Sequence, residues 1–306
     1  MPVQEYKQFY ILLFITMTLW GISWPITKVL VSLAPPMTVG FFRFLIATLL
    51  FIPVTLYTKA SFRLNKQRIT GFLSLGLTGI FGYGILFLIG MKFTTAAQGS
   101  IIAGINPASV SLFAHIIHGE RLPDRWRYWG FPLSFIGVIF VIGVQSLIDF
   151  QPEYLLGNII ILIAMAFWGL YSSLGKKFME TNTSLEATTG AVFIGMLLFG
   201  LGAIWEQFWV LDALINPVFW IGIFILGGFT TFLGFLFYFY AVKNIGATKS
   251  GIFINLVPVL GTLFSAILLQ EAIYWTFIVG LILIIAGIFL INYPSSNTGT
   301  PKLLPD

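Results

Sequence analysis

The chain has 306 residues, 58% of them hydrophobic and only 9% charged, and its mean hydropathy is +0.95. A soluble globular domain carries roughly 25% charged residues, so that class is excluded and the chain reads as an integral, multi-pass protein of the cell membrane. The net charge of +5 follows from membrane topology, which gathers Lys and Arg on the cytoplasmic side, and no nucleic-acid partner is expected.

Apolar runs of about twenty residues are helical in length, whereas barrel strands would alternate apolar and polar residues over about ten. Ten such spans are expected, at about 9–31, 35–57, 69–91, 95–118, 127–147, 155–176, 187–206, 217–240, 247–270 and 273–292. The first run is longer than a signal-peptide core and ends at Thr27-Lys28 without a small-x-small site, so it is expected to be retained. Loops are short, and the tail at 295–306 is polar and proline-bearing, as disordered segments are. Thirteen of the 16 Lys and Arg fall on the side of the N-terminus, and only Lys28, Arg43 and Lys92 fall on the other. Both termini are therefore expected to be cytoplasmic.

One stretch occurs twice. Residues 92–120 and 243–271 align at an offset of 151, with Lys92 on Lys243, Pro107 on Pro258, Leu112-Phe113 on Leu263-Phe264 and Glu120 on Glu271. Trp20-Gly21 and Lys28 of the first span recur as Trp168-Gly169 and Lys176 of the sixth. Residues 1–150 and 151–294 are thus two halves of five spans each. Five is odd, so the second half enters from the opposite side, and the fold expected is all-α with two inverted five-helix repeats.

Polar groups in hydrocarbon need partners or a wet cavity, so they mark the candidate substrate-binding residues. These are Trp20, Ser23 and Trp24 in span 1, Tyr83 and Phe87 in span 3, Gln98 and Asn106 in span 4, Trp168, Tyr171 and Ser172 in span 6, Tyr238 in span 8 and Asn255 in span 9. Spacings of three and four put each of the Trp sets on one helical face. The alternative for Trp24 and Tyr238 is an interfacial aromatic belt. Pro25, Pro107 and Pro258 are candidate kinks or gating positions, since an interior proline frees a carbonyl one turn earlier. Arg43 lies about 10 Å into its span at 1.5 Å per residue; a structural role on helix-end carbonyls is favoured over anion recognition. Glu120 and Glu271 end spans 4 and 9, where a face-closing ion pair and a plain helix-end charge are both open. No acid falls in mid-span, which favours facilitated diffusion or exchange over proton drive. His115 and His118 lack a third spaced ligand, so no metal and no cofactor are expected.

Trp20-Gly21 and Trp168-Gly169, Arg43, Asn106-Pro107, Leu256-Val257-Pro258, and the Gly119-Glu120 and Gln270-Glu271 endings together resemble the EamA family of the drug/metabolite transporter superfamily, over residues 9–292. The resemblance implies ten helices in inverted repeats and a secondary transporter, exporting or exchanging amino acids or related metabolites by alternating access through a central cavity. Gln270 departs from its counterpart Gly119, which puts equal packing at that site in question. No enzyme is expected, because no Asp pair, Ser–base pair or His/Glu set falls at matching depth. An ion channel is disfavoured because no run resembles a selectivity filter. The expected partners are a small solute and lipid, with a monomer favoured and a dimer open.

Overall fold

The structure, a computed structural model, describes residues 3–58, 65–119, 124–148, 152–245, 250 and 253–292. All of its regular elements are helical. We number them α1 (Val3–Leu33), α2 (Pro36–Tyr57), α3 (Lys66–Phe93), α4 (Ala96–His118), α5 (Gly130–Ile148), α6 (Pro152–Phe178), α7 (Ser184–Trp205), α8 (Pro217–Ile245), α9 (Leu256–Leu269) and α10 (Trp275–Asn292). Seven of these are long and apolar enough to cross a bilayer, and α9 and α10 are shorter apolar helices. Helix is the form that satisfies every backbone donor and acceptor within its own segment, which hydrocarbon requires. Glu120 and the tail at 295–306 lie outside the described residues.

Local sequence sets where helices begin. Pro36 and Pro217 open α2 and α8, where the missing N–H has no partner to lose. Thr183 and Glu186 form a reciprocal capping box at the start of α7. Asn65 and Thr95 accept from backbone N–H groups three residues on, at the starts of α3 and α4.

The packing repeats itself on exchange of the halves. Helix α1 lies against α8 and α9, and α6 lies correspondingly against α3 and α4. Helix α2 packs on α8 as α7 packs on α3, while α2–α7, α4–α9 and α5–α10 pair each element with its own counterpart. Small residues allow these approaches. In the α5–α10 pair, a Cβ on Gly130 would fall 2.3 Å from the Gly287 carbonyl oxygen, and one on Gly137 would fall 2.7 Å from that of Gly280.

Two helices are wound wider than α at corresponding places. Residues Gly76–Gly82 of α3 and Ile225–Leu233 of α8 form π-turns. The 151-residue offset carries 76–82 onto 227–233, inside the second turn. Such turns shift one carbonyl out of the α ladder, and in the first of them two glycines admit aromatic rings from the other half. A Cβ on Gly79 would sit 2.1 Å from the Tyr171 ring, and one on Gly82 would sit 2.6 Å from that of Phe167.

Helix α4 is also broken, by a 3₁₀ turn at Ala103–Ile105, before it resumes at Asn106. In the second half, Ser250 and Phe253 are helical, a turn follows at 254–255, and α9 runs on from Leu256; residues 246–249 and 251–252 lie outside the described residues. Pro107 and Pro258 accordingly stand in the first turns of helical segments. They do not kink continuous helices: first-turn N–H groups lack intrahelical partners in any case, so proline loses nothing there.

Gly79→Ala is expected to lower stability by about 1–3 kcal/mol, because the added methyl overpacks against Tyr171. Gly175→Ala meets nothing closer than 3.8 Å and is expected to gain about 0.5–1 kcal/mol from helix propensity. Thermal unfolding in detergent should therefore move in opposite directions for the two variants.

Candidate functional site

At one end of the bundle the corner between α3 and α4 is held from both sides. Lys28 of α1 donates its three ammonium N–H groups to the carbonyls of Met91 (3.0 Å), Lys92 (3.3 Å) and Thr94 (2.5 Å). The Glu271 carboxylate, just beyond α9, accepts from the N–H groups of Ala96 (2.8 Å) and Ala97 (2.7 Å). A cation thus meets the C-terminus of α3 and an anion the N-terminus of α4, the favourable sense for both helix dipoles. At the same end Glu206 accepts from the N–H groups of Met37 (3.1 Å) and Thr38 (2.8 Å) and from the Thr38 hydroxyl (2.8 Å), capping α2 from beyond α7.

The Glu271 and Glu206 bonds link the two halves. A third link completes the seal: the hydroxyls of Ser100 and Thr262 lie 3.2 Å apart, and Trp24 packs against Gly99 and Gly261 between α4 and α9. Beyond the break at Ala103–Ile105 the second part of α4 turns to α6. There Ser109 donates to the Met165 carbonyl at 2.8 Å, and the His118 ring meets the Ser173 carbonyl at 2.9 Å. Near the opposite end α1 stacks Tyr10 on Phe253. Among the described residues, α4 therefore meets α9 through its first part and α6 through its second.

Between these levels lies an aromatic and polar cluster. Tyr83 is 5.0 Å from Trp168 and stacks on Phe87 at 5.7 Å, and Trp168 is 5.5 Å from Tyr171. Across the bundle Trp20 contacts Phe235 and Tyr238, at 5.7 and 5.4 Å. The Trp20 indole N–H donates to the Thr230 carbonyl, 3.1 Å away in the second π-turn. Beside it, the Thr231 hydroxyl donates to the Leu226 carbonyl five residues back and accepts from Arg43 Nε at 3.1 Å. Trp20, Tyr83, Trp168, Tyr171 and Tyr238 are all half-buried.

Several candidate residues take roles different from those their sequence context suggests. Trp24 is only 3% exposed, so the lipid-facing belt does not apply to it; it is a plug between α4 and α9. Gln98 is 1% exposed and accepts from the Asn158 amide at 2.6 Å, while the Thr94 hydroxyl donates to Asn158 Oδ1. This closed network faces α6 rather than open space. Arg43 does not bond helix-end carbonyls; Lys28 does so instead. Ser23 and Ser172 donate back to the carbonyls of Trp20 and Trp168 within their own helices. Asn106 and Asn255 stand at the breaks before helical segments, and Asn106 Oδ1 is buried without a hydrogen-bond partner. Gly119 and Gln270 share a left-handed backbone, with φ of 67° and 54°. A Cβ on Gly119 would meet nothing within 4 Å, so the shared requirement there is the turn and not tight packing.

Glu206, Asn158, Thr230 and Thr231 were not apparent from sequence. Glu206 lies at a span end like any surface acid, and its target on α2 is 168 residues away. The threonines gain meaning only from the π-turn; the sequence signal for that turn was the glycine cluster shared by 76–84 and 227–234. A pocket of about 440 Å³ opens beside Lys28, Ser32, Pro35 and Lys92, at the capped end and away from the aromatic cluster.

The model of the EamA-like transporter family matches residues 8–143 and again 155–293. The chain belongs to this family. Its membership and its apolar helices make it a multi-pass transporter of the cell membrane. It is 28% identical over 301 residues to "Uncharacterized transporter YyaM" of Bacillus subtilis (strain 168), covering 96% of this chain and 98% of that one. It is 25% identical over 289 residues to an "Uncharacterized transporter" of Archaeoglobus fulgidus, covering 92% and 96%. A stretch of 113 residues, 37% of this chain and 39% of the relative, is 26% identical to "Aromatic amino acid exporter YddG" of Ancylobacter novellus. A solved crystal structure shares the fold, with a TM-score of 0.65 and 20% identity over 92% of this chain and 96% of that chain.

Removal of the Glu271 carboxylate should orphan two helix N–H groups and a favourable dipole contact. Glu271→Ala is expected to destabilise by about 2–4 kcal/mol and Glu271→Gln by less, since hydrogen bonds to charged groups contribute about 1.5–3 kcal/mol each. Unfolding of purified protein measures this, and equal stability of Glu271→Ala and the parent would contradict the capping role.

Proposed function

We propose that the chain is a secondary transporter that moves a small organic solute, an amino acid or related metabolite with an aromatic or hydrophobic body, by alternating access between two inverted five-helix repeats. All ten helices cross the membrane, both termini are cytoplasmic, and the capped end faces outward. One observation supports this: among the described residues, α4 meets α9 on one side of its break and α6 on the other. Alternating access needs one closed end, one divided end, and closing contacts few enough to open. The closing set here is the Glu271 cap, the Ser100–Thr262 pair and the Trp24 plug.

The half-buried rings of Trp20, Tyr83, Trp168, Tyr171 and Tyr238 suit an uncharged or zwitterionic solute with a bulky side chain. Aromatic pairs contribute through area and edge-to-face geometry and do not demand a charge. The partial similarity to a protein named as an aromatic amino acid exporter points the same way. Discontinuous helices at the junction of repeats are where transporters of this architecture place their sites. Exchange or facilitated movement is favoured because mid-span carboxylates are absent from the sequence.

Purified protein in liposomes is expected to take up radiolabelled phenylalanine, tryptophan or leucine above empty vesicles. Trp168→Ala and Tyr171→Ala are expected to lower this flux at least tenfold, equivalent to about 1.4 kcal/mol of lost binding, while still reconstituting. A panel of all twenty amino acids without flux would overturn the solute assignment.

A further inference from the structure

Arg43 is a charge that the described residues do not neutralise. Ion pairs among them join Arg68 to Glu186 and Arg127 to Asp124, and no described carboxylate lies within ion-pair distance of Arg43. Lys28 makes an instructive contrast, since each of its three N–H groups reaches a carbonyl. A guanidinium carries five N–H groups and does not deprotonate in proteins, yet only Nε of Arg43 has a described acceptor, the neutral hydroxyl of Thr231. The four N–H groups on Nη1 and Nη2 bond to none of the described residues.

The position of this cation is tightly defined. Helix α2 approaches the second π-turn so closely that a Cβ on Gly227 would fall 2.6 Å from the Arg43 carbonyl oxygen. Thr231 is itself oriented by its bond to Leu226, so its lone pair is presented to Nε. The guanidinium lies over the Phe44 ring at 5.2 Å and within electrostatic reach of the Tyr83 hydroxyl. Tyr83 in turn touches Trp168, and the residue beside Thr231 holds Trp20. Arg43 therefore stands where the aromatic cluster meets the π-turn, half-buried.

An uncompensated charge within the membrane is costly, and residues of this kind face a cavity and a partner. A guanidinium cannot escape by neutralisation as a lysine can. The planar fork matches a carboxylate bidentately. We propose that Arg43 binds the carboxylate of the transported solute, with the Tyr83 hydroxyl beside it and the Trp168 and Trp20 rings receiving the apolar body. The solute class is then a carboxylic acid or amino acid with an aromatic or branched side chain, and a matching amine is not a substrate. This rests on the transporter role proposed above and deepens it.

The test compares the parent protein with Arg43→Gln and Arg43→Lys, using three matched probes: phenylalanine, 3-phenylpropionate and phenethylamine. Without ligand, Arg43→Gln is expected to be at least as thermostable as the parent, because no internal ion pair is lost. A clear drop in unfolding temperature would mark Arg43 as a structural residue and overturn the assignment. In the parent, the two acids are expected to raise the unfolding temperature and the amine is not. Arg43→Gln is expected to weaken the response to both acids about 10- to 100-fold in concentration, the loss of a charge-assisted hydrogen bond, with Arg43→Lys intermediate. Stabilisation by the amine alone, by none of the probes, or by acids equally in parent and Arg43→Gln would overturn the assignment. Liposome flux separates the two proposals. Acid binding that needs Arg43, without flux of any amino acid, would sink the transport role and keep this site. Amino-acid flux that Arg43→Gln leaves unchanged would do the reverse.

Discussion

Hydrocarbon offers no hydrogen bonds, so each backbone group that leaves the helical ladder must find a partner within the protein. That requirement accounts for most of what is specific in this structure. The start of α4 is completed by Glu271 and the start of α2 by Glu206. The end of α3 is completed by Lys28 and the π-turn carbonyl of Thr230 by Trp20. In each case the missing partner comes from another helix, and for α4, α2 and Thr230 it comes from the other half of the chain. The halves are joined where the backbone is incomplete.

The consequence is a bundle whose halves share a broad apolar core but are tied by few polar joints. Small-residue packing of α5 on α10 is continuous and fixed by paired glycines, which suits a static scaffold. The contact of α4 with α9 among the described residues lies before the helical break and is topped by a carboxylate cap. Broken helices permit one segment to change neighbours while the other stays put. Matching π-turns on α3 and α8 stand at corresponding places in both halves, beside the aromatic cluster. The proposed transport cycle draws on this division between a rigid pair and a breakable one.

Much of the fold could be read from the chain. The helical class followed from composition, and the correspondence of the halves from the repeat of residues 92–120 in 243–271. The packing pairs are symmetric under the same exchange. What could not be read was where regular winding stops. Pro107 and Pro258 suggested kinks, but the breaks precede them, because a proline is most easily placed in a first turn. Gln270 for Gly119 suggested a packing difference, but both residues supply a left-handed turn. Trp24 and Gln98 show the limit on sites: polarity in a span marks the protein interior, but only the neighbours decide between a sealed network and an open surface. Glu206 and Thr231 act on partners 168 and 188 residues away, and no local pattern encodes such a meeting.

The central claim is that the Glu271 end of α4 and α9 must part during transport. The chain has no cysteine, and the Ser100 and Thr262 hydroxyls already lie 3.2 Å apart, so a Ser100→Cys/Thr262→Cys double variant places two thiols at that joint alone. Amino-acid flux in liposomes should fall to the empty-vesicle level when this pair is oxidised and return on reduction, with each single variant unaffected by oxidant. Full flux through protein shown to carry the intact disulfide would contradict the account.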